Sequence, residues 1–162
     1  MEWQSQADQH CLQFHFLEKM MKVLYHLLLC LGFWGCCHAA QADLVVIANP
    51  QSGIEKLSKD EVINLYMGRN RKLASGMNAM PLDMTAANTE KAKFYALLVN
   101  KNLPEINSYW ARLMFSGQGS PPMQVESADE VMDIVSSNKA AIGYIERKKL
   151  DKRVRMIYDP TQ

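Results

Sequence analysis

Hydrophobic positions along the chain fall into three kinds of run, each predicting a different element. The first is an uncharged stretch of 15 residues, Val23 to Cys37, preceded by Lys19 and Lys22. The second is short and continuous: Leu44-Val45-Val46-Ile47-Ala48, the pattern of a strand covered on both faces, ending in the turn-forming Asn49-Pro50-Gln51-Ser52-Gly53. The third kind recurs every three or four residues. Val62, Leu65 and Tyr66 follow Ser58-Lys59-Asp60-Glu61, a capping box in which serine and glutamate satisfy each other's free backbone N–H groups. This helix is expected to stop near Gly68, before the basic loop Arg69 to Lys72.

Further along, a short strand around Met80 to Asp83 precedes a cap-rich turn, Thr85 to Asn88. Thr89 to Asn100 reads as a helix burying Phe94, Leu97 and Leu98, and Pro104 opens another whose stripe is Ile106, Trp110, Leu113 and Met114. Ser116 to Pro122, with two glycines and a Pro-Pro exit, is a structural loop; no Gly-Lys-Ser/Thr follows to make it a phosphate loop. A second capping box, Ser127 to Glu130, starts a helix through Val131, Ile134 and Val135, and Ala140 to Ile145 and Val154 to Tyr158 supply the last strands. Strands alternating with helices predict an α/β protein, one compact layer sandwich with a sheet covered on two faces.

The run from Val23 to Cys37 lies ahead of Ala40-Gln41-Ala42, a small-x-small cleavage pattern, and is too short for a membrane span. It reads as a secretory signal peptide over 20–42, cut between Ala42 and Asp43, which predicts a periplasmic protein attached to the membrane only while that segment is uncleaved. The lipoprotein alternative is disfavoured because bulky residues precede Cys36 in Phe33-Trp34-Gly35-Cys36. Residues 1–19 are net negative where a signal peptide begins positive, so they read as a mis-assigned extension, with translation starting at Met20 or Met21.

Composition changes the picture once processing is included. The 162 residues carry 18 basic and 17 acidic side chains, a net charge of +1. Setting aside the two lysines and three acids before Asp43 leaves 16 and 14 in the working domain, 43–162. All four cysteines and all four histidines precede Asp43. The mature domain therefore has no Ser-His-Asp or Cys-His nucleophile, no disulfide and no ordinary zinc ligands, and no enzyme, cofactor or metal site is expected. Ser136-x-x-Lys139 lacks the partner motifs of a serine–lysine enzyme and is assigned to a helix C-terminus. Met77, Met80 and Met84 could suit copper(I), but core filling is the expected role. The cluster Arg147, Lys148, Lys149, Lys152, Arg153 and Arg155 is read as a solvated connection, and export with no interleaved aromatics argues against nucleic acid.

In open α/β sheets ligands sit beyond the carboxyl ends of strands, where helix N-termini favour anions. Two turns meet that description: Asn49, Gln51, Ser52 and Gly53 after the first strand, and Thr85, Asn88, Thr89 and Lys91 at the start of a helix. The same residue types also serve as plain helix caps.

Three stretches together resemble the phosphate-binding, PstS-like proteins of ABC transporters: Leu57 to Gly68 (LSKDEVINLYMG), Tyr109 to Pro122 (YWARLMFSGQGSPP), and Ser127-x-x-Glu130 followed by Ala141-Ile142-Gly143-Tyr144-Ile145. The resemblance implies the type II periplasmic binding protein superfamily, and about 120 residues match a single three-layer α/β/α lobe of it. It further implies an exported, non-enzymatic solute-binding protein whose partners are phosphate or another small oxyanion and an ABC permease or other envelope protein. The family's anion segment Arg-x-x-x-Ser-Gly-Thr falls on Met84 to Glu90, where Met84, Asn88, Thr89 and Glu90 replace its Arg, Ser, Gly and Thr. Losing the guanidinium and gaining a carboxylate implies weak or altered oxyanion binding. The alternative is an envelope protein-interaction or sensory module that keeps the fold without a small ligand.

Overall fold

The computed structural model describes residues 43–73 and 75–161; the expected extension (1–19) and signal peptide (20–42), with its cleavage point, lie outside the described residues. The elements run β1 (Leu44–Ala48), α1 (Lys59–Tyr66), β2 (Met80–Met84), α2 (Thr89–Val99), α3 (Leu103–Phe115), β3 (Met123–Val125), α4 (Ala128–Ser137), β4 (Ala141–Glu146), a short 3-10 turn (Arg147–Lys149) and β5 (Arg155–Tyr158). Every residue of β1 is buried, as a continuous apolar run requires of a strand covered on both faces.

Local signals placed the helix starts well. Ser58 Oγ accepts from the Glu61 N–H while the Glu61 carboxylate accepts from the Ser58 N–H, and Asn102 with Glu105 forms a second such box ahead of Pro104. At α4 the box is displaced: Ser127 Oγ accepts from Glu130 N–H, but the Glu130 carboxylate accepts from Glu126 N–H instead. Helix α2 ends on Asn100 in the left-handed conformation (φ 52°). The last turn of α3 departs from its expected stripe. Ile106 and Trp110 are buried, whereas Met114 is 52% and Phe115 95% exposed.

The five strands form one sheet in the order β3-β2-β4-β1-β5. Strands β2, β3 and β4 are mutually parallel; β1 is antiparallel to both β4 and β5. Neither the antiparallel β1 nor the three-residue β3 was expected. The direction of β1 is a non-local property, and β3 is an edge strand with Met123 and Gln124 exposed, so it has no apolar run to announce it.

Neighbouring residues of β4 show how the layers form, because successive side chains point to opposite faces. Tyr144 stacks on Phe94 of α2 (centroids 3.9 Å apart, planes 7° apart) and lies 5.9 Å from the Tyr66 ring of α1. Gly143 faces α4 on the other side, so close that a Cβ there would lie 2.3 Å from Val131 Cγ1. With α4 on one face, α1 and α2 on the other, and α3 against α1 and α2 through Trp110 and the Tyr109 hydroxyl bond to Met67 O (2.7 Å), the domain is one α/β/α lobe. Gly143→Ala is expected to destabilise the protein by about 1–3 kcal/mol through overpacking against α4, read from the urea midpoint at unchanged m-value; a wild-type midpoint would refute the close approach.

Candidate functional site

Strand direction separates the two turns singled out in the sequence. Ala48 lies opposite Ile142 near the start of β4, and Met80 pairs with Ala141, so the end of β1 shares a sheet edge with the beginnings of β2 and β4. Asn49 to Gly53 therefore sit at one end of the sheet and Thr85 to Lys91 at the other. The lobe does not bring them together.

At the first end, Asn49 is 6% exposed and fully engaged. Its Nδ2 donates to the Val135 and Ser136 carbonyls (3.0 and 2.8 Å) and its Oδ1 accepts from Gln51 N–H, fastening β1 to the last turn of α4. Ser52 is 2% exposed and accepts from Ile54 N–H. Gln51 is exposed, and Gly53 lines a cleft of about 380 Å³ with Lys56, Glu61 and Lys72 among its walls.

The second end is where the carboxyl ends of β2, β3 and β4 meet the N-terminus of α2. Thr85 N–H donates to Val125 O on β3, Asn88 N–H donates to Thr85 O, and Asn88 Oδ1 caps the helix by accepting from Glu90 N–H (2.8 Å). Thr89 is exposed and Thr85 and Asn88 are half-buried, so two hydroxyls and an amide surround this helix start.

Lys91 does not join them at the surface. It is 4% exposed and its Nζ lies 2.9 Å from Asp83 Oδ2, on β2. Asp83 is as deeply buried, and it also accepts from the hydroxyls of Tyr95 (3.0 Å) and Tyr144 (2.7 Å), so both oxygens are bonded; Tyr144 Oη in turn accepts from Met84 N–H. Burial first, then the Asp83 charge, pushes both phenols well above the usual tyrosine range, so they act as O–H donors at any ordinary pH. Sequence reasoning missed Asp83, although a lone acid in the otherwise apolar strand MPLDM was a visible signal.

Glu90, the second residue of α2, borders the same end. One of its carboxylate oxygens is buried without a hydrogen-bond partner. Burial, then the nearby Glu146 carboxylate, raises its pKa above the ordinary glutamate value, against the opposing pull of Lys149, Lys148 and Lys93. Among the described residues no group of three or more His, Cys, Asp or Glu is placed to hold a metal ion, and no helix is long and apolar enough to cross a membrane.

The expected connection 147–155 is paired throughout much of its length. Arg147 bonds both Asp43 and Asp159, Lys148 pairs with Glu146, Lys149 with Asp129 (3.8 Å), and Arg153 with Asp151 and Asp133.

No protein-family profile matches the chain, and no curated protein matches it. Solved structures do. An ABC-type phosphate transport receptor from Vibrio cholerae superposes with a TM-score of 0.57 at 16% identity, the match covering 71% of this chain and 45% of that one. A putative phosphate ABC transporter substrate-binding protein with bound phosphate from Clostridium perfringens gives 0.57 at 13% identity (71% and 44%), and PstS from Borrelia burgdorferi 0.54 at 16% (71% and 46%). The chain is thus similar in fold to one part of these binding proteins and spans less than half the length of each.

Two outcomes follow from the buried charges. Asp83→Asn strands the Lys91 ammonium and is expected to cost about 3–5 kcal/mol, with part of the loss recovered in Asp83→Asn/Lys91→Met; a double-mutant cycle by denaturant titration measures the coupling, and additive losses would dissolve the pair. For Glu90 the folded pKa is raised, so its contribution is favourable while it is protonated and is lost as pH rises through the unfolded and then the folded pKa. Glu90→Gln should therefore gain stability over wild type at pH 7 relative to pH 4, and an unchanged difference between the two pH values would contradict the assignment.

Proposed function

We propose that this protein is a periplasmic, non-enzymatic solute-binding protein whose single lobe receives a small oxyanion weakly at the Thr85–Thr89 turn. The supporting observation is the convergence of three parallel strand ends on the start of α2, with Asn88 as its cap. That is the end of an α/β sheet where backbone N–H groups and the helix dipole favour an anion. Thr85, Asn88 and Thr89 supply the neutral donors, and the wider role is in uptake beside an ABC permease.

Two features argue that affinity is low. Lys91 spends its charge on Asp83, and Glu90 brings a carboxylate to the mouth of the turn. An oxyanion there is held by dipoles and neutral groups, without a charge-assisted fork. These same two features favour a second reading, in which the lobe is an interaction or sensory module whose partner is an envelope protein.

Thermal or chemical unfolding in phosphate and sulfate decides between them. A micromolar site would add roughly 4 kcal/mol at millimolar ligand, whereas a millimolar site adds about 1.4 kcal/mol at tenfold its dissociation constant. The expected result is the smaller gain, reduced in Thr85→Ala and Asn88→Ala. No gain at any accessible concentration would overturn the anion site and favour the interaction module.

A further inference from the structure

The chain has two basic clusters, and only the one at 147–155 is answered by its own acids. Arg69, Arg71 and Lys72 have no carboxylate within 4.0 Å among the described residues. They line an open cleft of about 370 Å³ with Asn78 and Ser120, and no acidic residue lines it. The cleft lies at the amino ends of β2 and β3, since Ala79 N–H donates to Arg71 O immediately before β2 and Ser120 immediately precedes the Pro121-Pro122 exit into β3. It is therefore at the opposite end of the sheet from Thr85.

The loop holding these cations is built to a fixed shape. Arg69 and Asn70 N–H groups both donate to Asn64 O, Lys72 N–H donates to Asn70 Oδ1 (2.9 Å), and Lys72 bridges to Asn78. Gly68 starts the loop with φ +67° under the Trp110 ring, where a Cβ would lie 2.7 Å from Cη2. The Arg71 guanidinium crosses to the Ser120 carbonyl (2.5 Å), joining the loop to the 116–122 segment. Three positive charges held together in a concave, acid-free wall repel each other and are relieved by a multivalent anion. Guanidinium forks beside neutral amide and hydroxyl groups suit the tetrahedral oxygens of phosphate better than a single carboxylate.

We propose that the Arg69–Arg71–Lys72 cleft binds a phosphate group, carried either as free inorganic phosphate or as the phosphodiester of an anionic lipid. Phe115, 95% exposed at the end of α3 and five residues before Ser120, is an apolar side chain of the kind a membrane surface takes up. The proposal stands independently of the Thr85–Thr89 reading, because the two sites share no residue.

The test uses the purified protein, inorganic phosphate by isothermal titration, and co-sedimentation with phosphatidylglycerol against phosphatidylcholine vesicles. Arg69 and Lys72 are both exposed, so Arg69→Gln/Lys72→Gln keeps the fold, checked by its melting curve. With the Thr85–Thr89 turn weakened by Asn88→Ala, phosphate binding that persists and then falls roughly tenfold when Arg69→Gln/Lys72→Gln is added supports the cleft with free phosphate as its ligand. Binding only to phosphatidylglycerol vesicles, lost in Arg69→Gln/Lys72→Gln and weakened as salt rises past about 0.1 M, supports it with a lipid source. In the Asn88→Ala background, binding of either probe that is unchanged by Arg69→Gln/Lys72→Gln, or no binding of either probe, overturns it.

Discussion

Placement of α2, and with it the turn at the carboxyl end of the sheet, depends on one buried carboxylate. Asp83 sits near the carboxyl end of β2, and three donors from two other elements close around it: Lys91 and Tyr95 from α2 and Tyr144 from β4. Lys91 and Tyr95 are four residues apart and so share a helix face, which lets one acid grip two successive turns. A carboxylate there is tolerated because both its oxygens are hydrogen-bonded and its charge is paired with Lys91. Tyr144 also stacks on Phe94, which in turn meets Tyr66 edge-on, so the cluster continues into the aromatic core. The same arrangement has a functional cost, since the cation nearest the turn is committed inward.

What could be read from the sequence was what local spacing governs. The buried run of β1, the capping box at Ser58, the helix opening at Pro104 and the α/β layering all follow from neighbours within a few residues. The expectation of a single lobe of this receptor fold agrees with the superposed structures. Strand direction was beyond reach, because β1 is inverted by pairing with β4 and β5, roughly a hundred residues away. The rule that ligands lie past strand ends then pointed at Asn49 as readily as at Thr85. Only the antiparallel register shows that Asn49 faces the other way, with its amide spent on α4. Lys91 illustrates a different blind spot. Its spacing placed it correctly on the first turn of α2, but burial, not spacing, decides whether a lysine faces an anion or an aspartate.

Charge clusters were misleading for the same reason. The stretch 147–155 is the denser one in sequence, yet its partners Asp43, Asp129, Asp133 and Asp159 arrive from other parts of the chain. The sparser trio at 69–72 meets no such partners among the described residues. Net charge near zero conceals this unevenness: the 147–155 cations are answered by acids of the fold, whereas the 69–72 trio is not.

Arg147 also has a mechanical consequence. It binds Asp43, just before β1, and Asp159, just after β5, so the two ends of the described domain are clamped side by side. Because β1 and β5 are antiparallel neighbours, tension applied at those two points would peel them apart one hydrogen bond at a time instead of shearing the whole ladder at once. Asp159 is held below the ordinary aspartate pKa: burial alone would raise it, but hydrogen bonds from Thr161 and then Arg147 outweigh that. The Asp159 arm thus stays charged to lower pH than an ordinary aspartate, and the clamp is a latch across the seam where the sheet would begin to unzip.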